Sequence, residues 1–253
     1  MCVAAVAWQA HPRWKLVAIG NRDEFHERPA APLARWEEPQ GIIAGRDLKS
    51  GGTWLGVSDQ GQFVLVTNLR GYGDPDPAKR SRGELVTQLL EGTGAPRDFD
   101  QYNPFSILHV SVGDGEEGDL HFLTNRPQRV STRLAHGIYG LSNGSLDAPW
   151  AKTLQLKSAL QDWLIAGDDA REPLFEALAC DKLEDIGVHP RLPSDVAVEP
   201  QETPVFIRHP LYGTRCSTIV AIDYRGAGRI IERSFDDRGA KSGEIAVEFH
   251  WPG

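Results

Sequence analysis

Two apolar segments at the start of the chain predict a β-hairpin. Residues 2–8 (CVAAVAW) and 14–20 (WKLVAIG) flank the turn-forming stretch QAHPR. A second hairpin is predicted from 53–58 (TWLGVS) and 62–67 (QFVLVT), which are joined across Asp59-Gln60-Gly61. The first third of the chain is therefore expected to form short strands and turns.

Helical spacing appears only after a proline-rich loop. Ser81 predicts a helix N-cap, and Glu84 three residues later predicts a capping box. Further helices are predicted over 149–165 and 170–180. The remaining pattern predicts strands at 106–113, 119–124, 137–143, 214–223, 228–235 and 244–250, with a long loop over 185–204. Strands, then helices, then strands indicate two sheets with helices outside them, a layered α+β architecture in a single domain, 1–253.

Composition and charge narrow the class of protein. The formal charge of −8 argues against a nucleic-acid partner, because such binding relies on basic surface. No apolar run approaches the ~20 residues of a membrane span, and MCVAAVAWQAHPRW lacks the basic start of a secretory signal, so stable membrane insertion is not expected. Three cysteines (Cys2, Cys180, Cys216) leave one unpaired, which favours a reducing compartment. We expect a cytoplasmic protein, and no pattern specifies its oligomeric state.

The start of the chain carries candidate chemistry. A small residue at position 2 permits removal of Met1, which would make Cys2 the N-terminal residue. The reference pKa is ~8.5 for the thiol and ~7.7–8.0 for an α-amine, so the amine can act as general base for its own side chain. The alternative interpretation is a buried cysteine at the start of a core strand.

The first hairpin brings a polar string back to Cys2. If 2–8 pairs with 14–20, Cys2 lies opposite residues 21–22, and facing residues are ~5 Å apart. Within Asn21-Arg22-Asp23-Glu24, the arginine would favour a Cys2 thiolate, and the aspartate could hold the α-amine. The alternative is a charged strand end that leads into a solvated turn.

Two asparagines and a basic cluster complete the candidates. Asn68 and Asn143 each lie at the end of a predicted strand, where their amides suit either an oxyanion hole or a turn. Lys79-Arg80-Ser81-Arg82 precedes a predicted helix and can hold an anion there, or form a solvated loop. The histidines and cysteines show no metal-ligand spacing, so no metal site is expected.

Several blocks in order along the chain resemble the NRDE family, also called the transport and Golgi organisation protein 2 family. They are M-C at the start, NRDEFHERP at 21–29, GGTWLGVS at 51–58, VTN at 66–68, RGELV at 82–86, YGLSN…PW.K at 139–152 and YGTRCSTIVAID at 212–223. The resemblance implies an αββα layered sandwich of the N-terminal-nucleophile (Ntn) hydrolase type, with relatives among the choloylglycine hydrolases and penicillin V acylases. By motif, it places catalytic roles on Cys2, Arg22, Asp23, Asn68, Asn143 and Arg215.

The resemblance leaves more than one function open. The first is hydrolysis of a linear amide bond by Cys2, with no cofactor required. The second is carriage of a hydrophobic anion, since family members have been linked to haem trafficking and to acyl-CoA or lipid handling; haem would then be cargo. The expected ligand-binding side chains are Asn21, Arg22, Glu24, Arg80 and Arg82. A third, an interaction module of the secretory pathway, follows from the family name alone.

Overall fold

The computed structural model describes residues 2–113, 118–167, 169–183 and 202–252. The loop predicted over 185–204 lies outside them except at its last three positions. The described helices are α1 (Arg82–Leu90), α2 (Ala151–Ala166) and α3 (Glu172–Leu178). The described strands are β1 (Cys2–Trp8), β2 (Trp14–Phe25), β3 (Ala30–Arg35), β4 (Ile42–Asp47), β5 (Leu55–Ser58), β6 (Gln62–Asn68), β7 (Phe105–Ser111), β8 (Asp119–Thr124), β9 (Val130–Leu134), β10 (Gly137–Leu141), β11 (Tyr212–Asp223), β12 (Ala227–Phe235) and β13 (Lys241–His250).

These strands form two antiparallel sheets. The first sheet has the order β10-β1-β2-β11-β12-β13, and the second has the order β3-β4-β5-β6-β7-β8-β9. In the first sheet, the predicted hairpin is extended on both sides, because β10 pairs with β1 and β11 pairs with β2. The start of the chain is therefore held in the interior of a sheet.

The strands β1 and β2 are buried on both faces, which explains their continuous apolar sequence. One face, including Val6 and Ala18, packs toward the second sheet. The opposite face, including Val3 and Ile19, packs with apolar side chains of α2 and α3, among them Leu160. Alternate residues of one strand thus contribute to two different cores.

Helix α1 covers the other side of the second sheet. Its buried residues Leu85, Val86, Leu89 and Leu90 join the core built around β4, β5 and β6. The layers are therefore α2 and α3, the first sheet, the second sheet, and α1. This confirms the predicted α+β class and its αββα order.

The local predictions differ from the structure in a few places. Strands β3, β4 and β9 were not predicted: β3 contains Pro32, and β3 and β9 expose most of their residues, so neither shows a strong apolar pattern. Ser81 is the N-cap of α1, as predicted, and accepts a hydrogen bond from Gly83 N. The capping box is wrong, because the Glu84 carboxylate is bound by Arg80 instead.

Candidate functional site

A cleft of about 910 Å³ is lined by residues of both sheets and by the first turn of α1. On the first sheet, its wall includes a row of residues paired directly across five strands. The row consists of Cys2, Arg22, Cys216, Ser234 and Gly243. The candidate nucleophile is the first member of this row.

Cys2 lies opposite Arg22, which confirms the register predicted from the hairpin. The residue is partly exposed and its thiol is free. Burial of the sulfur raises the thiol pKa above its usual value, and the charge of Asp23 adds to this, although Arg22 and the backbone N–H of Asp23 lower it. Arg22 does favour the thiolate, as expected, but burial of the sulfur outweighs its effect on the thiol pKa. Cys2 is a thiol at neutral pH and needs a base to react.

Arg22 extends into the cleft as part of an ion-pair network. Its Nη2 donates to Asp47 Oδ2 at 2.8 Å, and Arg28 Nε donates to the same oxygen at 2.6 Å. Burial raises the pKa of Asp47, but the Arg28 hydrogen bond, the Ser50 N–H and both arginine charges lower it, and the lowering prevails. Arg22 Nη1 is buried and has no hydrogen-bond partner in the described parts of the chain.

Glu24 also lines the cleft, as its place two residues after Arg22 requires. Its Oε2 lies 3.7 Å from Arg22 Nη2 and 3.8 Å from Arg28 Nε. Its Oε1 accepts a hydrogen bond from Phe25 N at 2.9 Å. The carboxylate offsets part of the positive charge that these arginines bring to the cleft.

Asn21 was expected to bind ligand, and the structure contradicts this. Its side chain is fully buried on the helix-facing side of β2. Its Nδ2 donates to Leu178 O and Val205 O, each at 2.8 Å, and its Oδ1 accepts from Ser217 Oγ at 2.6 Å. Because adjacent residues on a strand point to opposite faces, Asn21 and Arg22 cannot both enter the cleft. Asn21 joins β2 to the segments beneath it.

Asp23 lies between the buried helix-facing layer, which holds Asn21, and the cleft. It is 3 % exposed, reaches the cleft wall beside Cys2, and accepts a hydrogen bond from Thr214 Oγ1 at 2.7 Å. Burial raises the pKa of its carboxyl to about 6, against the lowering effects of the positive amino terminus, Lys152, the Thr214 hydroxyl and Arg22. A carboxylate in this position can orient an amine on the first residue of β1.

The two candidate oxyanion asparagines have different environments. Asn68 is exposed and lines the cleft, as expected. Asn143 is fully buried and does not line it, because its Nδ2 donates to the backbone oxygen of Asn68 at 2.8 Å. The prediction that both amides face the cleft is therefore wrong for Asn143. Asn143 fixes the end of β6 on which Asn68 stands.

Arg215 lines the cleft at an irregularity of β11. Asp23 pairs with Thr214 and Arg22 pairs with Cys216, so Arg215 is the additional residue between them. Its Nη1 donates to three carbonyl oxygens of the turn after β2, at Phe25, His26 and Arg28. Arg215 thus holds the turn that carries Arg28.

The start of α1 and the residue just before its N-cap supply the two remaining predicted side chains. Arg80 and Arg82 both line the cleft. Arg80 is bound by Glu84 and Gln101, whereas the Arg82 side chain donates to Pro104 O and to no other group in the described residues. Burial lowers the pKa of Arg82 to about 10, and a negative charge on Cys2 would oppose this lowering. Arg82 is therefore the basic residue of this cluster that is electrostatically coupled to the nucleophile.

Sequence reasoning missed several residues of the site. Asp47, Thr214, Lys152 and Glu232 were not selected, although Thr214 and Lys152 lie within the family-like blocks at 212–223 and 139–152. Glu232 accepts from Leu33 N at 2.8 Å and from the Cys216 thiol, and burial raises its pKa. Those blocks were the available signal, because nothing in local periodicity distinguishes a buried site residue from an exposed one.

A sequence model of the family described as Transport and Golgi organisation 2 matches residues 1–237. The chain belongs to this family. Its relatives there include the Transport and Golgi organization protein 2 homologs of Bos taurus and Homo sapiens. The bovine protein is 32% identical over 263 residues, which cover 92% of this chain and 93% of that protein. The human protein is 30% identical over 270 residues, covering 94% of each.

More distant similarities extend beyond mammals. Within the same family, the Transport and Golgi organization protein 2 of Drosophila melanogaster is 23% identical over 262 residues, covering 92% of each chain. Among solved structures, the Caenorhabditis elegans N-acylethanolamine-hydrolyzing acid amidase ortholog matches with a TM-score of 0.49 and 11% identity. That match covers 86% of this chain and 92% of the other. None of the helices in the described residues has the length and apolarity that crossing a bilayer requires.

Proposed function

We propose that the chain is a hydrolase of linear amide bonds in which Cys2 is the nucleophile. The observation that carries this proposal is the placement of the Cys2 thiol on the wall of a large cleft, directly opposite Arg22 and beside Asp23. The proposal requires that Cys2 become the N-terminal residue through removal of the residue before it. A reduced thiol also fits the cytoplasmic location expected from the sequence.

The raised pKa of Cys2 determines how the first step must proceed. Since the thiol is protonated at neutral pH, it has to lose its proton as it attacks the amide carbon. The free α-amine accepts that proton and passes it to the leaving amine nitrogen as the C–N bond breaks. The product is a thioester on Cys2. Water then attacks the thioester, which releases the carboxylic acid and restores the thiol.

The surrounding residues supply orientation and charge stabilisation in this scheme. Asp23, held by Thr214, orients the α-amine. Asn68 offers its side-chain amide to the oxyanion from the opposite wall. Asn143 supports Asn68 through the backbone and takes no direct part.

The test uses protein whose N-terminal Cys2 has been verified by intact mass. Wild type is assayed against N-acyl amino acids, penicillin V and bile-salt conjugates. We expect Cys2→Ala to abolish turnover, Cys2→Ser to reduce it sharply, and Cys180→Ala to leave it unchanged, since Cys180 does not line the cleft. Undiminished turnover in folded Cys2→Ala would exclude Cys2 as the nucleophile.

One observation favours a second candidate, carriage of a hydrophobic anion such as haem or an acyl-CoA. In a chain of net charge −8, the described residues that line the cleft include eight Arg or Lys and six Asp or Glu. Arg22 also has a guanidinium nitrogen with no hydrogen-bond partner in the part of the chain that the structure describes. Titration with haem and with palmitoyl-CoA, alongside the product assay, separates the two functions. Stoichiometric binding without product supports the carrier, and turnover without retention supports the hydrolase.

A further inference from the structure

A fully buried lysine stands at the start of α2, and the proposed reaction does not use it directly. Lys152 has no exposed surface; its Nζ donates to Thr203 Oγ1 at 2.9 Å and lies 5.8 Å from the centroid of the Trp150 ring. Lysine is almost never fully buried unless its charge is balanced. It also lies in the first turn of a helix, where the helix dipole disfavours a cation. Two unfavourable conditions therefore meet at one side chain.

The packing of α2 fixes this position. Trp150 packs against Gly144, where an added Cβ would lie 2.7 Å from the indole ring. Thr153 packs against Gly140 of β10, where an added Cβ would lie 2.3 Å from the threonine methyl group. Because β10 pairs with β1, the first turn of α2 is held against the strand that begins with Cys2. The two glycines thus bring the Lys152 backbone close to the nucleophile's strand.

The negative charges that favour the protonated form of Lys152 belong to the candidate site. Burial lowers the pKa of Lys152 to about 8; the charges of Asp23 and of a Cys2 thiolate oppose this, and the charge of Arg70 adds to it. Asp23 is 3 % exposed and needs a positive neighbour to remain ionised. Arg22 also contributes, but it is engaged with Asp47 on the cleft side of β2. Lys152 and Asp23 are thus two buried groups of opposite charge, and each favours the charged form of the other.

We propose that Lys152 is a positioning residue for the nucleophile: its ammonium group keeps Asp23 ionised, so that the carboxylate can hold the α-amine of Cys2. The inference rests on the proposed hydrolase function. An isolated carboxylate would orient the amine but also stabilise its protonated form, which is no base. The Asp23–Lys152 pair has no net charge, so it orients the amine and leaves it able to accept the thiol proton.

The experiment compares Lys152→Met with Lys157→Met. Lys157 is a matched control, because it lies on the same helix and pairs with Asp147 at 2.6 Å, away from the cleft. Two readouts require no substrate: the carbon-13 NMR titration of the Asp23 carboxyl, and the pH dependence of Cys2 alkylation by iodoacetamide, followed by peptide mass spectrometry. A third is the pH profile of kcat/KM on any amide that is turned over.

In Lys152→Met we expect the Asp23 midpoint to rise by about one pH unit, and alkylation of Cys2 at pH 7 to slow about three- to tenfold. Lys157→Met should match wild type in both measurements. Unchanged Asp23 and Cys2 profiles in a folded Lys152→Met protein would overturn the proposal. These readouts are independent of the Cys2→Ala assay, so loss of the hydrolase proposal would not be confused with loss of this one.

A double variant keeps the test valid if Lys152→Met fails to fold. If the two charges balance each other, adding Asp23→Asn removes the isolated carboxylate and restores folding. Recovery, seen as a return of cooperative thermal unfolding, supports the pairing. A double variant that folds no better than Lys152→Met would show that Lys152 does not act through Asp23, and the proposal would fail.

Discussion

The two faces of β2 give residues 21–24 two different roles, one in the fold and one in the cleft. On the helix-facing side, Asn21 is fully buried and its polar atoms bind two carbonyls and a hydroxyl. On the cleft side, Arg22 pairs with Asp47 at 2.8 Å and lies 3.7 Å from Glu24, and both Arg22 and Glu24 border open space. The difference indicates that the helix-facing residues stabilise the fold, whereas the cleft-facing residues are available to a ligand.

The largest expected effect is on stability, and it tests whether the helix-facing and cleft-facing residues of β2 have different roles. Asn21→Ala leaves two buried carbonyls and the Ser217 hydroxyl without their partner, so we expect a loss of about 3 kcal/mol in the free energy of unfolding. Arg22→Ala should cost only about 1 kcal/mol, because Asp47 keeps its bonds to Arg28 and the backbone. Urea denaturation of both variants measures the difference. Equal losses in the free energy of unfolding would mean that the two faces contribute equally to stability, which would contradict this division.

Arg22→Ala should instead affect ligand binding. A charged contact at a partly buried site contributes about 1.5–3 kcal/mol, so affinity for palmitoyl-CoA or haem should fall roughly ten- to a hundredfold. Arg13→Ala is the control, since Arg13 forms an exposed pair with Asp169 and does not line the cleft. Equal affinity of the two variants for both ligands would place the anion elsewhere.

The pKa values of Asp23 and Asp47 shift in opposite directions, so the pH dependence of stability distinguishes the two carboxyl groups. Burial raises the pKa of the Asp23 carboxyl to about 6, compared with 3.8 in the unfolded chain. The stabilisation that Asp23 contributes to the folded state is therefore complete below pH 3.8 and is lost as the pH rises through about 6. The pKa of Asp47 is lowered, because hydrogen bonds from Arg28 and Ser50 outweigh its burial. Its contribution is present above pH 3.8 and is lost as pH falls through the folded-state pKa. Carbon-13 NMR titration, assigned with Asp23→Asn and Asp47→Asn, should show the two midpoints on opposite sides of the ordinary value.

The smallest expected effect concerns Glu24. Its ion pairs with Arg22 and Arg28 are long, so Glu24→Gln should change stability by less than about 0.5 kcal/mol. The positive charge of the cleft rises, and affinity for palmitoyl-CoA should increase about twofold. Glu248→Gln, at an exposed pair on β13, should leave affinity unchanged. A decrease in affinity for Glu24→Gln would show that the carboxylate contacts the ligand or orders its arginines.

The features that could be predicted from the sequence are those that depend on contacts between residues close together in the chain. The first hairpin is encoded within 24 residues, so its register and the placement of Arg22 opposite Cys2 could be predicted. The face on which Asn21 lies could not, because both faces of β1 and β2 are apolar and alternation alone does not say which one borders the cleft. Asp47, Lys152 and Glu232 reach the site through contacts between distant segments, and local spacing carries no record of such contacts.

The pairing of β2 with β11 has a consequence for how the chain is made. Thr214 and Asp23, which hydrogen-bond across this pairing, are 191 positions apart in the sequence. During synthesis, β2 therefore keeps an unpaired edge until nearly the whole polypeptide has left the ribosome. Unpaired edges attract other strands, so the nascent chain is most exposed to aggregation at the segment that carries its candidate site. A product truncated before β11 retains Cys2 but lacks the strand beside it, which makes shortened chains natural substrates for chaperones and proteases.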